Sequence, residues 1–250
     1  MEIAGYIKTS LIEWPGKISS VIFVPGCNFR CPFCHNADLV VRSKVSKFQS
    51  FKEKEVLADL EKRKKWVEAV VVTGGEPTLQ EDLPKFLELI KKLKLFTMLH
   101  TNGTRPEVIN KLIIKKLTDY IAMDLKGDFE NYEKYTNVKC LSTGKVGTMY
   151  NVRKSIELIA KSGVGYEFRT TVVPGLHDME NLIELAKQIK KEIVNCKLKI
   201  ENCHWFLQQF RPVNCFDKKY LTIKPYSKQA LEKICRNLQK IIPQTNLRGV

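Results

Sequence analysis

Six times along this chain a run of β-branched and aliphatic residues gives way to an amphipathic helical stripe, and that alternation most narrows its fold. The runs are "SSVIFVPG" (19–26), "EAVVVTGG" (68–75), "LFTMLHTNG" (95–103), "DYIAMDLKG" (119–127), "YEFRTTVVPG" (166–175) and "KIENCHWFLQQF" (199–210). Helical patterns lie at about 52–64, 80–93, 106–117, 150–162, 179–193 and 227–241. In the second of these, Leu83, Phe86, Leu87, Ile90 and Leu93 recur at three- and four-residue steps, which is one apolar stripe. Asp178 and Ser227 stand where N-caps belong. Repeated βαβ units predict an α/β fold on a parallel sheet.

The chemistry-bearing tripeptides fall just after the strands: a cysteine loop, "TGGEP", "HTNG", "DLKG" and "VVPG". In barrels and doubly wound sheets that carboxyl edge binds ligands, so one face holding one site is expected. No repeat, low-complexity block or Pro/Ser-rich linker interrupts the 250 residues, which predicts a single domain. Its core spans about 17–211, and 212–250 forms an extension of one closing helix and a short strand.

A chain of this length builds its core without disulfide staples. No apolar stretch reaches membrane-spanning length, so no membrane role is expected. The start "MEIAGYIKTSLIEWPGK" has no secretory pattern, which predicts a cytoplasmic protein with reduced thiols. The net charge of +15 favours acidic partners, although lysines dispersed along helical faces also suit a solvated surface.

Within "GCNFRCPFCHN" (26–36), Cys27, Cys31 and Cys34 crowd three of the chain's eight cysteines into one loop. Three thiolates suit closed four-ligand zinc poorly but can hold an iron–sulfur cluster with one iron open. On the loop alone, a zinc knuckle completed by His35 or a distant cysteine stays possible.

C-x3-C-x-aromatic-C after a first strand, followed by a strand ending in "GGE", resembles the radical S-adenosylmethionine (radical SAM) superfamily. With "EWPGK" (13–17), "HTNG" (100–103), "AMDLKG" (122–127) and "RTTVVPG" (169–175), the chain is similar to activating enzymes of glycyl-radical proteins, the anaerobic ribonucleoside-triphosphate reductase activating proteins in particular. The match runs from about residue 5 to Arg211, with a weaker echo in the C-terminal "LRG".

The resemblance implies a partial (β/α)6 TIM-like barrel with a C-terminal helix and short strand. It also implies one [4Fe–4S] cluster on Cys27, Cys31 and Cys34, its open iron chelating S-adenosylmethionine. Electron transfer from the reduced cluster then cleaves the sulfonium C–S bond, and the resulting 5′-deoxyadenosyl radical abstracts hydrogen from the target.

By the same resemblance Phe33 lies against adenine, with His35 near the adenine edge and Asn36 shaping the loop. Gly74, Gly75 and Glu76 meet the methionine ammonium; Thr101 and Asn102 belong to the following strand-end motif. Asp124 and Lys126 match an Asp-x-Lys pattern. Arg169 inside a strand needs a paired charge, either an internal salt bridge or, as the resemblance implies, the carboxylate or ribose region of S-adenosylmethionine, with Thr171 on the same strand face. Some relatives carry aspartate where this chain has His100, which puts a monovalent-cation site in doubt.

The 39 residues between Cys34 and Gly74 contain no cysteine, so a single cluster is expected. Cys140, Cys196, Cys203, Cys215 and Cys235 lack tight spacing and read as buried thiols. The implied partners are a glycyl-radical enzyme, the anaerobic ribonucleotide reductase above others, and flavodoxin or ferredoxin as electron donor. A radical SAM enzyme acting on nucleic acid or a peptide is the second reading, and +15 gives it some support. An iron–sulfur electron carrier or redox-sensing module is the third, but neither would need "GGE" or the other strand-end motifs.

Overall fold

The computed structural model describes residues 1–41, 51–139 and 147–250. Cys140 lies outside the described residues. The fold is α/β, and the described residues form eight strands in chain order in one open, mostly parallel sheet. They are β1 (Gly5–Ser10), β2 (Ser19–Val24), β3 (Ala69–Gly74), β4 (Phe96–Thr101), β5 (Tyr120–Asp124), β6 (Gly165–Val172), β7 (Trp205–Gln209) and β8 (Thr245–Arg248). The helices are α1 (Ala37–Val40), α2 (Glu53–Arg63), α3 (Leu83–Lys92), α4 (Pro106–Ile114), α5 (Tyr132–Thr136), α6 (Thr148–Lys161), α7 (Met179–Asn195) and α8 (Lys228–Gln239). None is long and apolar enough to cross a membrane, among the described residues.

The chain forms two compact units interleaved in sequence. The first comprises Met1–Asn28, Asp38–Thr101 and Glu107–Ala122. Here β2 pairs parallel to β3, with Val21 opposite Val71, and β3 pairs parallel to β4, with Val71 opposite Met98. The period of two sorts their side chains onto opposite faces. Ile22, Val24, Val70 and Val72 pack with Val56 and Leu60 of α2 and with Leu83, Phe86, Leu87 and Ile90 of α3. Val21, Ala69, Val71 and Met98 instead pack with Trp14 and Ala122. Both faces are covered, which is why these strands read as unbroken apolar runs.

Strand β1 is antiparallel to β2 and largely exposed, so its mixed "GYIKTS" carries little strand signal. Helices α1 and α5 have four and five residues, too few to show a stripe.

The second unit comprises Phe29–Ala37, Asn102–Pro106 and Met123–Val250. Strands β6, β7 and β8 run parallel, with Arg169 opposite Phe206 and Phe206 opposite Asn246. The last predicted strand begins late: Ile200–Asn202 is a helical turn, and β7 starts at Trp205. Asp178 caps α7 by accepting the Asn181 N–H at 2.8 Å, and Ser227 caps α8 by accepting that of Ala230 at 3.2 Å. The closing helix and short strand of the extension are α8 and β8.

Candidate active site

The candidate residues divide between the two units, and each half is built locally. In the first, the chain leaves β2 at Val24 and enters the cysteine loop at Gly26. The Gly26 N–H donates to Leu39 (2.7 Å) and the Cys27 N–H to Val40 (3.1 Å), so α1 fixes where that thiol begins. The "GGE" segment is pinned beside it: the Gly75 N–H donates to the Val24 carbonyl and the Glu76 N–H to that of Gly26, both at 2.8 Å.

This contact explains the two glycines. A Cβ on Gly75 would lie 2.0 Å from the Gly26 carbonyl oxygen; one on Gly74, where φ is +117°, would lie 2.5 Å from the Val24 backbone. The close approach the motif serves here is of backbone to backbone, before any ligand enters.

Glu76 is buried at 1% exposure, so its carboxylate needs donors. Its Oε1 accepts from the Thr78 N–H (3.1 Å), the Thr78 hydroxyl (2.5 Å) and the Thr101 hydroxyl (2.7 Å). The sequence marked Thr101 but not Thr78, whose signal was its place two residues after Glu76, where a hydroxyl can close a local cap. His100 places Nδ1 3.2 Å from the Thr73 hydroxyl. Among the described residues, no group of three or more His, Cys, Asp or Glu converges on a single metal ion.

The second unit carries the rest of the cysteine loop. The Cys34 N–H donates to the Cys31 carbonyl at 3.1 Å, a tight turn that holds Phe33 buried between them. Residues 214–217 back this loop. The Phe216 N–H donates to the Cys34 carbonyl (3.1 Å), the Asp217 N–H to that of Pro32 (2.9 Å) and Asn214 Nδ2 to that of His35 (3.2 Å). His35 itself is exposed. Nothing in the sequence tied "VNCFD" to the cysteines, because the partners are carbonyls far along the chain.

Asp124 and Lys126, at the end of β5, form an ion pair of 2.9 Å. Burial disfavours the Lys126 charge, but Asp124 and the thiolates of Cys31 and Cys34 outweigh it and hold the ammonium well above the usual lysine range. Burial pushes the Cys34 thiol up, and Lys126 pulls it partly back. Three thiols on one loop, two of them under an ammonium, are a donor set that fits an anionic iron–sulfur cluster.

His177 joins these parts, and the sequence reading missed it. Its ring stacks on Tyr135 with centroids 4.8 Å apart and meets Phe33 edge-on at 6.1 Å. Tyr135 in turn donates to Asp128 at 2.6 Å. The side-chain oxygen of Asn102 accepts from the Thr104 N–H (3.0 Å) and hydroxyl (2.7 Å), shaping the turn after β4.

On β6, Arg169 is 5% exposed and donates through Nε to Glu167, which is 3% exposed. Thr171 shares their face, opposite Gln208 of β7. Thr170, on the other face, donates to the Leu125 carbonyl (2.8 Å) and accepts from Trp205 Nε1 (3.0 Å). Seven of the chain's cysteines are described, all as thiols; Cys203, Cys215 and Cys235 are buried, and Cys196 is half-buried.

The family model of the Radical SAM superfamily matches residues 21–189. A Methanocaldococcus jannaschii protein assigned as a glycyl-radical enzyme activating enzyme is 33% identical over 249 residues, covering 99% of this chain and 96% of its own. The pyruvate formate-lyase-activating enzyme of Clostridium pasteurianum is 28% identical over 241 residues, covering 93% and 94%. Among solved structures, Streptococcus suis SuiB bound to precursor peptide SuiA superposes with a TM-score of 0.62 at 18% identity, over 92% of this chain. The chain spans about half of SuiB's length, 48%, and that likeness is one of fold. With the family model matching residues 21–189 and a relative 33% identical over nearly the whole of both chains, the chain is an enzyme of the radical SAM superfamily, related to the glycyl-radical enzyme activating enzymes.

Proposed function

We propose that this enzyme installs a glycyl radical on a partner protein, with anaerobic ribonucleotide reductase as the target and flavodoxin or ferredoxin as electron donor. The observation that carries the reading is the full-length similarity to the Methanocaldococcus jannaschii relative. When bound, a reduced [4Fe–4S] cluster supplies the electron that splits S-adenosylmethionine into methionine and a 5′-deoxyadenosyl radical.

The chain's own residues bind and orient. Cys27, Cys31 and Cys34 would ligate three irons, and the fourth would stay open for the amino and carboxylate groups of S-adenosylmethionine. Lys126 offsets the charge of the thiolates. Gly74 and Gly75 present backbone to the ammonium of that ligand, and Glu76, fixed by Thr78 and Thr101, adds negative charge nearby. Phe33, with the backbone of His35, takes the adenine; Asn102 shapes the strand-end turn and Asp124 holds Lys126 beside the ligand; Thr171 serves the ribose and Arg169 takes the carboxylate.

The test is anaerobic. The reconstituted enzyme, S-adenosylmethionine and a reductant are mixed with a ribonucleotide reductase bearing a C-terminal glycine loop. A glycyl-radical electron paramagnetic resonance signal on that partner is expected. Turnover of S-adenosylmethionine without this signal on any glycyl-radical enzyme would reject the reading. A second reading, action on nucleic acid or a peptide, rests on the net charge of +15 and would appear as nucleic-acid binding with a steep salt dependence.

A further inference from the structure

Arg248 of β8 crosses one strand to reach the carboxylate that holds Arg169. Its guanidinium lies 4.1 Å from the ring of Phe206 on β7, and beyond it both nitrogens engage Glu167 on β6, at 2.6 and 3.0 Å. Glu167, Arg169, Phe206 and Arg248 share one face of the three strands by the period of two and the strand registers, Arg169 opposite Phe206 and Gln208 opposite Arg248. Phe168, Trp205 and Leu207 point to the other face, fully buried.

The charges explain why a second arginine is needed. Glu167 and Arg169 alone make a neutral buried pair, in which the internal carboxylate competes with an anionic ligand for the guanidinium. With Arg248 added, two cations share one anion and the triad carries a net +1. The Glu167 carboxyl sits below the usual glutamate range: burial opposes its ionisation, and Arg248 and Arg169 outweigh that cost. Arg248 also occupies both Glu167 oxygens in fork geometry, whereas Arg169 meets one of them through Nε.

We propose that Glu167 and Arg248 are positioning residues for Arg169: the C-terminal strand orients this guanidinium and leaves the triad positively charged toward the carboxylate of S-adenosylmethionine. The inference rests on the reading of Arg169 as a ligand to that carboxylate.

The experiment measures the dissociation constant of S-adenosylmethionine by calorimetry on the anaerobically reconstituted enzyme. Arg248→Met keeps the stem over Phe206 and removes the fork. It is expected to weaken binding about tenfold, with Arg248→Lys restoring part of the loss. In an Arg169→Met background, Arg248→Met should add nothing. If Arg169→Met leaves binding unchanged, the reading of Arg169 fails. If Arg169→Met weakens binding but Arg248→Met does not, or if the two effects simply add, the positioning role is overturned. Should Arg248→Met fold poorly, Glu167→Gln decides: unchanged affinity in that variant overturns the proposal, and a loss that vanishes in the Arg169→Met background upholds it.

Discussion

His177 Nε2 donates its hydrogen to the Lys126 carbonyl at 2.8 Å while Nδ1 accepts the Val173 N–H at 3.1 Å. A carbonyl can only accept and an amide N–H can only donate, so the two bonds fix a neutral ring and its tautomer. His177 thereby ties the loop after β6 to the backbone beside the Asp124–Lys126 pair.

Burial is the main reason His177 is lowered to about 4; Lys134 lowers it further, and its backbone hydrogen bonds and Asp128 oppose. A base whose folded pKa lies below its unfolded one contributes stability above the unfolded value, and that stability is lost as pH falls. The window is pH 6.5 down to about 4, and the loss is about 3 kcal/mol. His177→Gln removes the titration. Urea unfolding at pH 7 and pH 4 should find the stability gap between the chain and this variant narrowed by about that amount; an unchanged gap contradicts the buried neutral ring.

Gly75→Ala places a methyl carbon 2.0 Å from the Gly26 carbonyl oxygen, a backbone atom that cannot step aside. A loss of more than about 3 kcal/mol is expected, with reduced iron retention after reconstitution. Gly16→Ala serves as comparison, because its φ of +83° is strained but a Cβ there would meet no atom of the described residues within 4 Å; it should cost about 1 kcal/mol. Thermal melts of the two variants separate steric from conformational cost.

Thr101→Val deletes the hydroxyl that donates to buried Glu76 at 2.7 Å. The expected cost is about 1–3 kcal/mol, together with weaker binding of S-adenosylmethionine. Thr101→Ser keeps the donor and should stay close to the parent in both measurements. Equal losses in the two variants would show that the methyl, not the hydroxyl, matters.

Burial alone pushes the Cys203 thiol up to about 12, whereas Cys196 is only half-buried. Alkylation of the native chain at pH 8, followed by peptide mass spectrometry, should label Cys196 well before Cys203. Labelling of Cys203 at a comparable rate would mean that the turn leading into β7 opens readily.

The strands and helices with long apolar patterns were legible because their chemistry is local. Val21 to Val24 and the stripe Leu83–Phe86–Leu87–Ile90 announce burial by spacing alone. Caps at Asp178 and Ser227 were legible for the same reason. Edge strand β1, the four-residue α1 and the late start of β7 were not, since each is set by its neighbours. The candidate site divides likewise. Cysteines, glycines and Glu76 with its local cap Thr78 stand in compact motifs, whereas His177, Glu167 and Arg248 act through partners on other elements. Arg248 lies 81 residues from Glu167, and no spacing rule spans that distance.

On the proposed function, cleavage of S-adenosylmethionine depends on the three thiolates of the cysteine loop. The direct measurement is 5′-deoxyadenosine formed under reducing, anaerobic conditions by the reconstituted enzyme and by its Cys27→Ala, Cys31→Ala and Cys34→Ala variants. Product is expected from the parent, with about four irons per chain, and none from any variant. Product from a cysteine variant, or none from a parent that holds its cluster, would contradict the proposed function.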